Sequence, residues 1–491
     1  MSRTGPVGLA VVGAGNISGQ YLRNLTAFPD VEVLAVADLD DRRAAQAAAE
    51  YGIGTACSPA AALEIPEVEI VVNLTVPAAH AQVALAALRA GKHVYGEKPL
   101  ALDPESGRAV LAEAAARGLR VGNAPDTFLG AGIQSARRAV EAGLIGEPVA
   151  ATVALESMGP EGWHPDPAFF YLPGAGPLFD MGPYYLTALV SLLGPVSSVA
   201  ATARMARQRR VVGSGPLAGT EFPVEVPTHV TALLEFAAGC GASTAFSFDS
   251  PAGKQLLELG GTEATLALPD PNTFGGPLRI RGPKDREWRE LPLSGTEAGR
   301  GIGVVDLARS LRAGQPHRAS GELGLHVLDI MATIVASAAE GSFQKVTSVV
   351  PATDALPASW DPRRPPSDTT WRPSRLTGSV PRCPGAPDPG PPGRGRRGLA
   401  GHRRRGPACT PPGRRRRSRP CGGRLRPAFR RDSLPGGSRA RHRRPPSTRR
   451  QPRSSKTAVT GAWSDQRSGW EGALSTWAAR DLAARPGVVM M

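Results

Sequence analysis

The sequence predicts an α/β fold that begins with a doubly wound parallel sheet, continues into a second domain and ends in a basic tail. Three observations predict it. Short apolar runs alternate with helix-like segments through residue 123, the first run ends in a glycine turn, and composition changes abruptly near residue 361. At 491 residues the chain is long enough for two or three domains.

Val7–Val12 is a continuous apolar run, the pattern of a strand buried on both faces. Gly13-Ala14-Gly15-Asn16-Ile17-Ser18 follows, then a helix over Gln20–Phe28 and a second strand over Val31–Ala37 that ends at Asp38. Strand, glycine turn, helix, strand and acid, in that order, make a dinucleotide-binding unit. The glycines let backbone N–H groups approach a pyrophosphate at a helix N-terminus. Asp38 would accept hydrogen bonds from ribose hydroxyls and repel a 2′-phosphate, which favours NAD. Arg42 and Arg43 follow closely and could meet that phosphate, so NADP stands as the alternative. Ser18 occupies the place of a third glycine and is small enough for close helix–strand packing.

Glu69–Asn73 reads as the next buried strand, and Pro77 opens a helix through Ala90 that Gly91 closes. Lys92–Tyr95 is a short strand leading into Gly96-Glu97-Lys98-Pro99. Asp103-Pro104 caps and starts another helix, Gly118 ends it, and Leu119–Gly122 is the last strand of this domain, taken as residues 1–124.

These residues, with Thr75-Val76-Pro77, His80, Gly143-Leu144-Ile145-Gly146, Gly174–Gly182, Gly260–Pro269 and Ala319–His326, resemble the glucose-fructose oxidoreductase/inositol dehydrogenase/rhizopine-catabolism (Gfo/Idh/MocA) family over about residues 7–345. The resemblance implies an N-terminal Rossmann domain and an α+β C-terminal domain, residues 125–360, with an open, mostly antiparallel sheet. Strand-like runs at Val149–Glu156, Val196–Met205, His229–Phe236, Ser243–Asp249, Gln255–Leu259 and Ala264–Leu268 agree with it. In Ser243–Asp249, Thr244, Phe246 and Phe248 share one side, the pattern of a half-covered antiparallel strand.

The resemblance also implies the chemistry: hydride transfer between NAD and a secondary hydroxyl or carbonyl of a sugar, cyclitol or related polyol by a homo-oligomeric enzyme. Gly13, Gly15, Asn16, Ile17, Asp38, Thr75, Pro77, His80, Glu97 and Lys98 are the candidate cofactor residues. Lys98, in Glu-Lys-Pro, is the leading catalytic candidate. It follows a parallel strand at the carboxyl edge of the sheet, where doubly wound folds bind ligands. Its ammonium could stabilise a developing alkoxide, and could relay a proton if burial lowers its pKa. Asp180 and Tyr184, four residues apart, fall on one face of a helix beginning near Gly182. Many family members have His at the second place. Tyr is the poorer base, so Tyr184 either orients substrate or needs a nearby cation. His164, in a loop shortly before Asp180, is a further substrate-binding candidate, with a solvent-exposed loop histidine as its alternative. Two other readings are an NAD-dependent glycosidase-type enzyme and a non-catalytic nicotinamide-binding regulator.

Charge divides the chain. Residues 361–491 hold 31 Lys and Arg against 7 Asp and Glu, a net +24, while residues 1–360 carry −9. The tail has no Ile, Tyr or Asn and is dominated by Arg, Pro and Gly, so it is expected to be disordered. The missing residue types share AT-rich codons, which points to frameshifted or read-through translation of GC-rich DNA. An Arg-rich nucleic-acid arm is the alternative. The five cysteines, at 57, 240, 383, 409 and 421, form no CxxC or zinc-spaced cluster, so no metal site or disulfide framework is expected. No apolar run reaches the length of a membrane span and no signal segment opens the chain, so a cytoplasmic location is expected.

Overall fold

In the computed structural model, residues 5–351 and 353–365 are described, and all belong to one compact unit. The tail expectation therefore falls almost wholly outside the described residues.

The N-terminal sheet has six parallel strands in the order β3-β2-β1-β4-β5-β6: β1 (Val7–Val12), β2 (Val31–Ala37), β3 (Ala56–Cys57), β4 (Val68–Asn73), β5 (His93–Gly96) and β6 (Val121–Asn123). The chain reverses direction across the sheet between β1 and β4, and ligands bind at that switch point. Every residue of β1 is buried, as a strand covered by helices on both faces requires. The flanking helices are α1 (Ser18–Leu25), α2 (Asp41–Tyr51), α3 (Pro59–Glu64), α4 (His80–Arg89) and α5 (Pro104–Ala116). Asp103 caps α5 by accepting from the Ser106 N–H at 2.8 Å, as the Asp-Pro signal implies. Pro77 opens a short 3-10 turn, Pro77–Ala79, rather than α4 itself.

After α6 (Ala131–Glu141) come a two-stranded sheet of β9 (Arg209–Val211) and β10 (Glu221–Pro223) and a nine-stranded sheet whose core runs β14 (Thr265–Ala267), β13 (Lys254–Gly261), β7 (Pro148–Glu156), β12 (Gly241–Ser247), β11 (His229–Phe236), β8 (Val196–Arg204). Its pairings are antiparallel except one: β12 lies parallel to β7, with Thr244 opposite Val153. The alternation of Thr244, Phe246 and Phe248 is real, and all three are buried, but β12 has an antiparallel neighbour on only one side. The helix α7 (Gly176–Leu193) covers the buried face.

Two helices qualify the sequence reading. Helix α7 begins six residues before Gly182, because Gly176 turns the chain at φ +87° and Pro177 sets the first turn. Asp180 is consequently inside the helix. Second, α9 (Gly321–Glu340) is long and apolar enough by composition to cross a membrane, although Glu322, His326 and Asp329 break any continuous apolar run. Its apolar surface serves the core instead: Leu328, Ile330, Met331 and Ile334 are buried, and the helix packs on β8, β6 and α5. The chain thus returns to the N-terminal domain, and the backbone of Gly122 bridges to Ser320.

Candidate active site

The carboxyl edge of the parallel sheet and the start of α7 enclose a cleft of about 590 Å³, within the range of small-molecule and cofactor sites. Gly13, Gly15, Asn16, Ile17, Asp38, Thr75, Pro77, His80, Glu97, Lys98 and Asp180 all line it. Residues separated by more than 160 positions are thereby brought to one surface.

The glycine turn shows what the cleft is shaped to admit. Gly13 has φ +103°, and a Cβ there would fall 2.6 Å from the Leu74 carbonyl oxygen, so only glycine lets β1 turn beside β4. At Gly15 a Cβ would meet nothing within 4 Å. The protein itself leaves that side open, and the space belongs to the cleft. Ser18 fits beneath, buried, donating its hydroxyl to the Gly15 carbonyl at 2.5 Å. Asp38 accepts from the Ala14 N–H at 2.7 Å and the Asp40 N–H at 2.9 Å, which fixes its carboxylate beside the turn. Arg43 lines the same end, with its guanidinium 3.8 Å from Asp40. The open turn, the α1 N-terminus and the oriented acid fit a dinucleotide with free ribose hydroxyls.

At the other end Lys98 Nζ donates to the backbone carbonyl of Asp180 at 2.8 Å and to its Oδ1 at 3.0 Å. Glu97 is buried and accepts from Tyr21 Oη at 2.7 Å and from the Lys98 N–H at 3.0 Å. Burial alone would lower the Lys98 pKa. Asp180, Tyr184 and Glu97 outweigh burial and hold it above the ordinary lysine value. The shift runs against the lowered pKa to which a proton relay was tied and favours the charge-stabilising ammonium, the other role expected of Lys98.

Tyr184 is buried and does not line the cleft. Its ring lies between two cations, with Lys98 Nζ 5.4 Å and Arg300 Cζ 5.5 Å from its centroid, and its hydroxyl accepts from Arg300 Nη2 at 3.2 Å. Burial raises its pKa against the pull of both cations, which disfavours Tyr184 as a base. His164 is neither in the cleft nor in solvent. It is 1% exposed, its ring stands edge-on to Trp163, Phe169 and Phe170, and its Nδ1 accepts from the Asp166 N–H at 3.1 Å. It shapes the aromatic segment whose outer rings face the cleft. His80 is also buried, with Nδ1 2.6 Å from the Pro99 carbonyl and Nε2 3.0 Å from that of Thr75. Burial lowers its pKa, and it ties the Thr75 loop to the Lys98 turn.

Three supporting residues escaped the sequence reading. Asn123 donates Nδ2 to the carbonyls of Gly96 and Glu97 at 3.0 and 3.1 Å and braces the Lys98 turn. Asp126 accepts from the N–H groups of Gly301 and Gly303 at 2.8 and 3.0 Å, anchoring the start of α8 (Ile302–Ala313) and with it Arg300. The side chain of Arg300 is fixed by Asn272 Oδ1 at 2.9 Å. An Arg between two glycines ahead of an apolar helix was the only local signal. Among the described residues no cluster of His, Cys, Asp or Glu could hold a metal.

A glycine turn with a ribose-directed acid, sharing one cleft with a partly buried Lys–Asp pair, defines the class of two-domain nicotinamide-dependent oxidoreductases. Residues 7–124 match the family described as "Oxidoreductase family, NAD-binding Rossmann fold", and residues 133–267 match the GFO/IDH/MocA C-terminal domain. The chain belongs to the GFO/IDH/MocA oxidoreductase family, and its first domain binds NAD.

It is 35% identical over 149 residues to inositol 2-dehydrogenase 3 of Saccharopolyspora erythraea, covering 30% of this chain and 44% of that one. It is 30% identical over 254 residues to dTDP-3,4-didehydro-2,6-dideoxy-α-D-glucose 3-reductase of Streptomyces antibioticus, covering 50% and 74%. Among solved structures, levoglucosan dehydrogenase in complex with NADH and L-sorbose shares the fold at a TM-score of 0.61 and 22% identity, over 70% of this chain and all of that one.

Proposed function

We propose that this chain transfers hydride between NAD and a secondary hydroxyl or carbonyl on a sugar, cyclitol or related polyol. The observation that carries the reading is the Lys98–Asp180 pair, which lines the same cleft as the glycine turn and Asp38. The nicotinamide accepts or supplies the hydride when bound; the protein orients the partners and manages one proton.

In the oxidising direction the substrate hydroxyl gives its proton to Nζ of Lys98 as Nζ passes one of its own along the 3.0 Å hydrogen bond to Asp180 Oδ1. The lysine stays cationic throughout and stabilises the developing alkoxide. In the reducing direction the ammonium donates to the carbonyl oxygen and recovers a proton from Asp180. Tyr184 and Glu97 hold the lysine in place without exchanging protons with the substrate. The Asp38 carboxylate favours NAD over NADP through repulsion of a 2′-phosphate. We also infer self-association through the open face of the second sheet, where Leu233 is exposed beside Ala200 and Ser243.

The test is a screen of sugars, cyclitols and their ketones followed at the NADH absorbance, run with NAD and with NADP. Turnover with NAD on at least one ring alcohol is expected, and turnover only with NADP would refute the cofactor assignment.

A further inference from the structure

The two walls of the cleft differ in chemistry. The wall from the second domain consists of Phe169, Phe170, Gly174, Ala175, Phe179 and Asp180. Asp180 is the single polar side chain in it. The opposite wall carries Asn16 and Gln82 further along the cleft, while the polar groups that touch the Lys98 turn are already engaged. Glu97 accepts through both oxygens, both His80 ring nitrogens face backbone carbonyls, and the Thr75 hydroxyl donates to Asn73 Oδ1 at 2.6 Å. Lys98 uses two of its three donors on Asp180. One ammonium N–H and the open carboxylate edge of Asp180 are what remain for a substrate near the reacting carbon.

That pair serves two neighbouring oxygens, the reacting one and the next. Further hydroxyls on the ring would press against phenyl rings that offer no hydrogen bond, and would lose their water without compensation. A carbon–hydrogen edge in the same place gains from the contact.

Building on the hydride-transfer reading above, we propose that the substrate presents a vicinal oxygen pair to Lys98 and Asp180 and a deoxygenated edge to the phenylalanine wall. The class is a cyclic vicinal diol or hydroxyketone, of which a deoxy sugar is one form, rather than a fully hydroxylated ring. Phe169 and Phe179 are the specificity-determining residues. Both are half-buried, and Phe169 is held from behind by Phe170, with ring centroids 4.1 Å apart, and by His164.

The probes are trans-cyclohexane-1,2-diol and myo-inositol, which share a six-membered ring and a vicinal pair and differ in the remote edge. Each is titrated calorimetrically into the full chain saturated with NADH. The diol is expected to bind at least about tenfold more tightly, the scale set by a few unpartnered hydroxyls. Phe169→Asn should narrow that ratio, and Phe179→Ser provides the second variant if the first does not fold; in both, the urea midpoint reports folding and each titration is run at saturating NADH. Equal or tighter binding of myo-inositol, no binding of the diol, or a ratio unmoved in a folded variant would each overturn the proposal. NADH formation from NAD and the diol is followed separately. Diol binding without NADH formation counts against hydride transfer while upholding the wall's preference; a preference for inositol with NADH formation does the reverse.

Discussion

Replacing Asp180 with Asn isolates the electrostatics of the site, because Asn keeps the side-chain shape and removes the charge facing Lys98. At 3.0 Å the pair attracts by about 5 kcal/mol at an effective dielectric near 20. Burial is the largest single influence on the Lys98 pKa and acts downward, with Asp180 the leading influence in the other direction. Breaking a buried pair by removing one partner typically costs about 3–5 kcal/mol. Losing the Asp180 charge therefore lowers the Lys98 pKa from its raised value, since burial then acts with only Tyr184 and Glu97 opposing it. The sign for stability follows. With the folded pKa raised, the wild-type pair contributes fully below the ordinary lysine pKa, and its contribution fades only as pH rises through the elevated folded value.

Competitive acylation with trace acetic anhydride between pH 7 and 11, read by mass on the Lys98 peptide with exposed Lys254 as internal reference, reports the titration without any substrate. In Asp180→Asn the reactivity of Lys98 should rise at lower pH than it does in the wild type. Identical Lys98 profiles in the two proteins would refute the reasoning.

Three further outcomes are expected. Gly15→Ala should leave the urea midpoint unchanged yet weaken NADH binding by fluorescence titration, since its Cβ enters only the cleft; Gly13→Ala should lower both, because its Cβ strikes the Leu74 carbonyl. Arg210 is 3% exposed and pairs with both Glu161 and Asp249 beneath the aromatic segment, so Arg210→Met should cost about 3–5 kcal/mol in urea unfolding by stranding two carboxylates. Burial pushes Asp126 up to about 6 against the pull of Arg300 and the two glycine amides. A raised carboxyl pKa means the folded state takes up its proton first, so this group adds stability as pH falls from about 7 towards 4, by up to about 3 kcal/mol. Asp126→Asn should flatten that part of the pH–stability curve.

What could be read from sequence was what local chemistry encodes. The run Val7–Val12, the turn Gly13–Ser18 and the acid Asp38 each require a particular residue type at a particular spacing, and the strand–turn–helix–strand unit formed where that spacing placed it. The Glu97-Lys98-Pro99 turn and Asp180 were visible as motifs, and the fold brings them to one cleft. The direction of the Lys98 pKa was not legible, because it depends on a partner 82 residues away and on how far each group is desolvated. Arg300 escaped for the same reason: its neighbours Asn24, Asp126, Tyr184 and Asn272 come from four separated segments. His164 looked like a loop residue by its Pro and Gly neighbours, yet three aromatic side chains close over it. Helix α7 began early because Pro177 opens it while Pro183 is accommodated inside it, and the spacing of two prolines does not say which role each takes.

On the proposed mechanism Lys98 handles the proton in a cleft that holds NAD independently of it. Single-turnover hydride transfer, started by mixing NAD-loaded protein with a ring alcohol selected in the screen and followed at the NADH absorbance, tests that claim in wild type and Lys98→Ala. The variant should lose the burst by about 10³-fold or more, the scale of removing a group that both stabilises charge and moves the proton, while its NADH dissociation constant stays within about threefold, less than the tenfold that 1.4 kcal/mol represents. A burst of undiminished rate in Lys98→Ala would contradict the account.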